Sequence, residues 1–355
     1  MADPTQVSPN VNEGAGSLRV SARSRSVSMA DVAAAAGVSQ QTVSRVVNNL
    51  PNVNEKTRER VREAMKELGF RPNYAGRSLR GGAYHSVGLC VNDITQIGNL
   101  TMLDGISSAA RDHGYAITLI EMSKTAQFSL EEASRRMAEL PVDAMIIGMS
   151  RMAPDFETFV PQTGMNTVLV TMYAHPLCTT VDSDHYGCST MVMDHLFEHG
   201  HREIRFVAGP EYSIDNTFRE AGWRDALMHN GIEPVEPMHG DWSAQSGYEI
   251  GMKLAQDAKM TAVYAANDQM AMGVIAALMD CGIDIPGRVS VIGVDDSLDN
   301  FLPNNELTTV RFDLHKRGRT VFESAVRPQV AGEAPQAIRI PGTLVVRKTV
   351  ADACL

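Results

Sequence analysis

The chain of 355 residues sets 32 Lys and Arg against 42 Asp and Glu, a formal charge of -10, with 44% hydrophobic and 21% charged residues, 28 Gly and 16 Pro. Composition of this ordinary kind excludes collagen, low-complexity and wholly disordered chains, and the length predicts two or three compact units. The longest apolar run, Met270 to Met279, is bounded by Gln269 and Asp280 and falls short of the roughly 18 residues a bilayer span needs, so no membrane partner is expected.

The charge is unevenly spread. Residues 1 to 82 hold 12 Lys and Arg against 7 Asp and Glu, a balance of +5, whereas the remainder holds 20 against 35, a balance of -15. A short basic module on a large acidic body is the pattern expected when only the module meets phosphate. Residues 1 to 27 are rich in Ser, Pro, Asn and Gly and predict a disordered tail. They contain Arg19, Arg23 and Arg25 but no apolar h-region, so a cytoplasmic location is expected rather than export. The five cysteines, Cys90, Cys178, Cys188, Cys281 and Cys354, are scattered and form no C-x-x-C pair. They read as reduced, buried small hydrophobes, with neither a disulfide frame nor a metal site expected.

Three short helices follow the tail. Ser28 with Asp31 makes a capping-box pattern, Val32 and Ala36 share a face, and Gly37 stops the first helix. Ser39 is placed to cap a second helix through about Val47 that turns Val43, Val46 and Val47 inward, leaving Gln40, Gln41, Ser44, Arg45 and Asn48 outside. Asn54 caps a third, Glu55 to Leu68, whose apolar stripe is Val61, Ala64, Met65 and Leu68. Two helices joined at a Gly-containing turn and braced by a third predict an all-α helix-turn-helix headpiece over residues 28 to 71. Residues 72 to 83 then read as a linker.

From residue 84 strands and helices alternate. Strands are predicted at Val87 to Val91, Ala116 to Glu121, Ala144 to Ile147, Ile204 to Val207, Thr261 to Ala265 and Val289 to Ile292. Helices are predicted at Leu103 to His113, from the cap Ser129 to Leu140, and at Ser189 to His199, Arg219 to Met228 and Gln269 to Met279. Near-continuous apolar strands between amphipathic helices imply α/β lobes with parallel sheets. Residues 84 to 355 exceed one comfortable core, so two doubly wound lobes are expected, with a cleft at the carboxyl ends of the strands.

The run M-A-D-V-A-A-A-A-G-V-S-Q-Q-T-V-S-R-V-V-N at Met29 to Asn48 resembles the lactose-repressor family of bacterial transcription factors. The likeness continues through V-N-E-K-T-R-E-R-V and G-F-R-P-N-Y-A-G-R-S-L to V-V-R-K-T at 345 to 349. It implies a sequence-specific regulator, most simply a repressor released from double-stranded operator DNA by a sugar effector, built as a headpiece on a two-lobed periplasmic-binding-protein-like core. The chemistry of the second helix agrees with that role. Gln40, Gln41 and Arg45 carry the amide and guanidinium groups that read base edges in the major groove, and Ser39, Thr42, Ser44, Asn48 and Asn52 suit phosphate contacts. In similar repressors residues 72 to 83 form a hinge helix whose leucine wedges into the minor groove. Leu79 matches that position, with Asn73 and Arg77 nearby.

The resemblance is to the sugar-responsive branch around F-R-E-A-G-W, G-D-W-S-A-Q-S-G-Y, A-A-N-D-Q-M-A-M-G and V-I-G-V-D-D. Carried over position by position, it implies that Arg219, Trp242, Asn267 and Asp295 line the effector pocket. Arg and Asp suit vicinal hydroxyls and an indole covers the apolar face of a sugar. Read by themselves, Asn267 is equally a helix cap, Asp295 a turn residue, Arg219 a solvated charge and Trp242 core. One departure is Thr171, which stands where galactoside-responsive members carry an aspartate. Asn92, Asp93 and Gln96 are the candidates to replace that contact.

Two-fold operators imply a homodimer, and no apolar heptad tail follows the last predicted strand to suggest a tetramer. Two rivals belong to other classes. A sugar-binding transport protein shares the two-lobed body but has no use for residues 28 to 82. A sugar-processing enzyme needs a convergent catalytic constellation, and the histidines form no H-E-x-x-H and no G-x-S-x-G occurs, so catalytic residues and cofactors are expected to be absent.

Overall fold

The structure is a computed structural model describing residues 27–48, 50–70, 82–92, 94, 97–122, 129–299, 301–328, 330 and 332–353. Asn73, Leu79, Asp93, Gln96 and Cys354 lie outside the described residues. The chain divides into two units, residues 1–77 and 78–355.

In the first unit, α1 (Met29–Ala36), α2 (Gln40–Val47) and α3 (Glu55–Glu67) pack around Val32, Ala33, Ala36, Val43, Val46, Val61 and Ala64. Each start is a side-chain cap satisfying an otherwise orphaned N–H. Ser28 accepts from Asp31 N and Asp31 returns the bond to Ser28 N at 2.8 Å, Ser39 accepts from Thr42 N at 3.1 Å, and Asn54 accepts from Thr57 N at 2.8 Å. Gly37 ends α1 in the left-handed region at φ 60°, which lets α2 begin within three residues. Leu68 departs from the sequence expectation: it caps the end of α3 and is 37% exposed rather than part of the stripe. The apolar period carries it one residue past the point where the packed face ends. Arg58 is buried instead and donates from Nη2 to Leu50 O at 3.1 Å.

The second unit is two doubly wound lobes. Lobe 1 holds β1 (Ser86–Val91), α4 (Ile97–Asp112), β2 (Ala116–Glu121), α5 (Leu130–Ala138), β3 (Ala144–Gly148), β4 (Asn166–Val170) and β5 (Thr179–Ser183). Lobe 2 holds α6 (His185–Glu198), β6 (Ile204–Ala208), α7 (Ile214–His229), β7 (Met238–His239), α8 (Ala244–Leu254), β8 (Ala262–Ala265), α9 (Asp268–Asp280), β9 (Ser290–Val294) and β10 (Thr308–Arg311). The chain returns to lobe 1 for α10 (Leu314–Val326) and β11 (Ala337–Ile340), and ends in lobe 2 with β12 (Thr343–Val345).

The lobe 1 sheet runs β11-β5-β4-β3-β1-β2, all parallel. The lobe 2 sheet runs β12-β10-β9-β8-β6-β7, with only β12 antiparallel. Strand β1 is buried along its whole length, as expected of a central strand covered on both faces, whereas β2 is an edge with Leu119 exposed. Three segments cross between lobes: β5 to α6, β10 to α10 and β11 to β12. Helices α4 and α10 approach so closely that a Cβ on Gly318 would collide with Met102 O, so glycine is required there.

Three helices begin earlier than expected from periodicity. Asp184 caps α6, Ser213 caps α7, and α4 starts at Ile97, because their first turns mix apolar, polar and glycine residues without a regular helical repeat. Cys281 is exposed, contrary to the buried reading, since it caps the end of α9. Cys90, Cys178 and Cys188 are buried, and burial pushes their thiols up to about 11, 12 and 12, leaving them protonated and inert. Among the described residues no helix is long and apolar enough to cross a membrane.

Candidate functional site

In the first unit, burial of Val43 and Val46 turns the opposite side of α2 outward. Gln40, Gln41, Arg45 and Asn48 are exposed, Thr42 and Ser44 half-buried. The Ser39 hydroxyl lies 2.9 Å from that of Thr42 as well as capping the helix, so its oxygen is already engaged. Asn48 Nδ2 donates to Ser44 Oγ at 3.4 Å, and Asn52 is exposed at φ 70°, a conformation asparagine tolerates well. The helix therefore presents two long amides and one guanidinium side by side, with no acidic residue among them.

In the second unit the four residues named from the sequence come together at the carboxyl ends of the lobe 2 strands. Arg219 on α7 is 3% exposed. Its Nη2 meets Asp295 Oδ1 at 3.0 Å, its Nη1 donates to Ala266 O, and its guanidinium lies 5.8 Å from the Trp242 and Phe312 rings. Burial works to lower the Arg219 pKa, but Asp295 leads the neighbours that outweigh it, and the group is raised and permanently charged. Asn267 caps α9 through Met270 N at 2.9 Å and donates from Nδ2 to Trp242 O at 2.9 Å. The cap and the pocket readings of Asn267 are thus compatible. Asp295 follows β9 with φ 104° and Trp242 sits at φ 73°, both held in backbone conformations that cost free energy and that concentrate at functional sites. Gly209 lies against the indole, where a Cβ would collide with the ring.

On the lobe 1 wall the sequence names Asn92, but not Arg317 or Asp182. Arg317 on α10 and Asp182 on β5, both under 10% exposed, form an ion pair at 2.9 Å, and Arg317 Nη1 also reaches Ser183 Oγ at 3.3 Å. Burial opposes the ionised Asp182, but His185 and Arg317 hold its carboxyl below the usual range. Asp182 and Arg317 border a cavity of about 60 Å³ with Asn92, Asn99, Ser150 and Asp215. Thr171, the departure noted above, is buried and accepts from Tyr173 N at 3.3 Å. Nothing in the sequence distinguishes Arg317 from the solvated charges beside it in H-K-R-G-R.

The lobes also touch at the lip of the cleft. Ile214 N donates to Ser150 O at 3.2 Å, Arg151 pairs with Ser213 as a β-bridge, and the Arg151 guanidinium lies 4.3 Å from the Tyr212 ring centre. Ile214 inserts among Met149, Ala153 and Phe156 of lobe 1, and Phe218 meets Tyr173 with ring centres 4.9 Å apart.

One further triad needs a chemical decision. Ligand atoms of Asp182, His185 and Asp215 lie within 4.8 Å of one another, a spacing that metal ions use. Arg219 settles the matter, because its Nε and Nη2 approach His185 Nδ1 at 3.3 and 3.2 Å and arginine can only donate. The Nδ1 lone pair is therefore occupied, and a neutral imidazole must carry its proton on Nε2, the atom that faces the two carboxylates. A protonated nitrogen offers a metal no lone pair.

Behind the cleft, Asp268 is fully buried and accepts from Thr309 Oγ1 at 2.6 Å and Ser297 N at 2.7 Å. Burial first, and then Asp295, push its carboxyl up to about 7. A folded pKa above the unfolded one stabilises fully below about pH 4, and that contribution is lost as pH rises through 7. An amide can keep both contacts by accepting from Ser297 and donating to Thr309. The stability of the wild type relative to Asp268→Asn is accordingly expected to fall by on the order of 2 kcal/mol between pH 5 and pH 8, measured by urea unfolding.

A helix-turn-helix unit and a two-lobed core with a polar cleft at its strand ends define a ligand-gated DNA-binding protein. Comparison with known proteins agrees. Residues 28–73 match the model described as bacterial regulatory proteins, lacI family, and residues 193–350 match a periplasmic binding protein-like domain. The lactose operon repressor of Escherichia coli K12 is 30% identical over 327 residues, 91% of this chain and 90% of the relative. The lac repressor dimer bound to operator and the anti-inducer ONPF superposes with a TM-score of 0.78 at 29% identity, covering 92% of this chain and 100% of that one. The complex of the transcriptional regulator CelR with cellobiose gives a TM-score of 0.66 at 26% identity, covering 91% and 99%. The chain belongs to the lacI family of bacterial regulatory proteins. It is a DNA-binding transcriptional repressor under small-molecule control, and the transport-protein alternative is not supported. The relatives are regulators rather than enzymes.

Proposed function

We propose that this protein is a cytoplasmic homodimeric repressor that leaves its operator when a neutral sugar enters the cleft. The observation that carries the sugar reading is a set of buried cleft atoms without hydrogen-bond partners: Asn92 Oδ1, His185 Nε2 and Arg317 Nε. One accepts and two donate, so the wall matches hydroxyls, which do both. Beside His185 and facing the lobe 1 atoms stand Arg219, Trp242, Asn267 and Asp295, assigned here as the other effector contacts. The names of the relatives, a lactose operon repressor and a cellobiose complex, point the same way.

A cavity of about 60 Å³ is smaller than the roughly 300 Å³ or more that ligand pockets occupy, so a sugar must change how the lobes meet. Binding one lobe arrangement better than the other shifts the population and lowers operator affinity by the same differential. The headpiece 28–71 then reads DNA through Gln40, Gln41 and Arg45, with Ser39, Thr42, Ser44, Asn48 and Asn52 at phosphates. The segment 72–83 supplies Asn73 and Leu79 at the minor groove, residues 1–27 are a tail, and 84–355 form the effector and dimerisation core. A gel-shift titration tests the direction: added sugar is expected to release DNA, and tighter binding reverses the assignment. Arg45→Ala is expected to weaken operator binding by about 1–3 kcal/mol with relaxed sequence preference if it reads a base, and almost uniformly across sequences if it touches phosphate.

A further inference from the structure

His185 sits where the chain crosses from lobe 1 to lobe 2, 2% exposed, and touches both polar walls of the cleft. On one side its Nδ1 accepts from Arg219, which is itself tied to Asp295. On the other side its Nε2 faces Asp215 Oδ1 at 3.4 Å and Asp182 Oδ1 at 3.8 Å without making a hydrogen bond to either. Both carboxylates border the cavity. A buried N–H left unsatisfied beside two carboxylates that border a cavity is costly unless something arrives to accept from it.

We propose that His185 is a specificity-determining residue of the effector site, its Nε2–H donating to one hydroxyl oxygen of the sugar while that hydroxyl donates its own proton to Asp215. The inference rests on the sugar-effector reading above and adds the class of group this position accepts. A carboxylate placed there meets Asp182 and Asp215 as like charges. An ammonium can pair with the carboxylates but has no lone pair for the imidazole N–H. A hydroxyl alone accepts from one neighbour and donates to the other, so a neutral sugar fits and a sugar acid or amino sugar substituted at this carbon does not. Because Arg219 donates to Nδ1, the proton of the neutral imidazole stays on Nε2 and the donor keeps its identity.

Isothermal calorimetry on the full chain tests this with D-galactose, lactose, cellobiose and D-ribose and their single deoxy and deoxyfluoro analogues, using the wild type, His185→Ala and His185→Gln. The expected result is that one deoxy analogue of the best-binding sugar loses about 10-fold or more against the wild type. Against His185→Ala that analogue binds as well as its parent, and the parent itself is weakened about 10- to 100-fold. His185→Gln, whose amide N–H reaches the place of Nε2, recovers part of the loss. Unfolding midpoints of the ligand-free variants show that each is folded, and if His185→Ala is not, the comparison runs between His185→Gln and His185→Asn, whose amide stops at Nδ1. Equal affinity of wild type and His185→Ala for the parent sugar, or an unchanged deoxy preference in that variant, overturns the role of His185 and leaves the sugar reading standing. A wild type that binds none of these sugars while still holding operator DNA overturns both.

Discussion

Arg219→Met is expected to lower effector affinity by about 100-fold or more while ligand-free operator affinity stays within a few-fold of the wild type. The guanidinium is 3% exposed and makes contacts no other cation can reproduce together: Asp295 Oδ1 at 3.0 Å, the Ala266 carbonyl and His185 Nδ1. A hydrogen bond to a charged group contributes about 1.5–3 kcal/mol, so losing the one N–H that Arg219 has left for the sugar reaches up to about 2.7 kcal/mol, the equivalent of that factor. Two secondary losses add to it. Asp295 keeps its strained φ of 104° with its Arg219 partner gone, and His185 Nδ1, no longer held as an acceptor, is free to take the proton and remove the Nε2–H donor. Arg219→Lys is expected to fare little better, because one ammonium cannot span three acceptors on different elements. Calorimetry for the sugar and gel shifts without it separate the outcomes; a parallel loss of operator binding would assign Arg219 to folding rather than to effector recognition.

The parts of this molecule that could be read in advance are those whose physics is local. Ser28, Ser39, Asn54 and Ser129 each cap the helix they were expected to cap, since a hydroxyl or amide answering an N–H three residues on depends on nothing distant. Strands β1, β3, β6 and β8 were legible because central parallel strands are apolar throughout. The strands β5, β10, β11 and β12 and the helix α10 were not. In β5, Asp182 and Ser183 are buried polar residues that break the apolar run, and β11 and β12 are short edge strands with little inward face. On α10 the buried face includes Arg317 and Gly318, which read as solvent and helix breaker until α4 and β5 are placed against them. The cleft followed the same rule. Arg219, Trp242, Asn267 and Asp295 were named through motifs, but the partners facing them across the opening come from positions such as 182 and 317, joined only by the fold.

The second large effect is on stability, and its size depends on whether one half of the lobe 1 ion pair is removed or both. Arg317→Leu strands the Asp182 carboxylate, 3% exposed, with only the Ser183 N–H at 2.8 Å and the edge of His185, and is expected to cost about 3–5 kcal/mol at pH 8. The cost changes with pH in a defined direction. In the wild type the Asp182 carboxyl is held below its usual range, so the pair stabilises above the unfolded pKa and that stability is lost as pH falls toward the folded value. In Arg317→Leu the guanidinium that opposes desolvation is gone, the folded pKa of Asp182 moves up, and the variant loses less stability than the wild type as pH falls. Urea unfolding is therefore expected to show a smaller deficit at pH 5 than at pH 8. The double variant Asp182→Leu/Arg317→Leu leaves no uncompensated charge and is expected to recover most of the loss, since apolar replacement of a buried pair is often neutral or better. Recovery of stability without recovery of sugar binding is the outcome that explains why the pair is there: an apolar wall would hold lobe 1 together equally well, but it would present the incoming hydroxyls with neither the Arg317 Nε donor nor the Asp182 carboxylate beside His185.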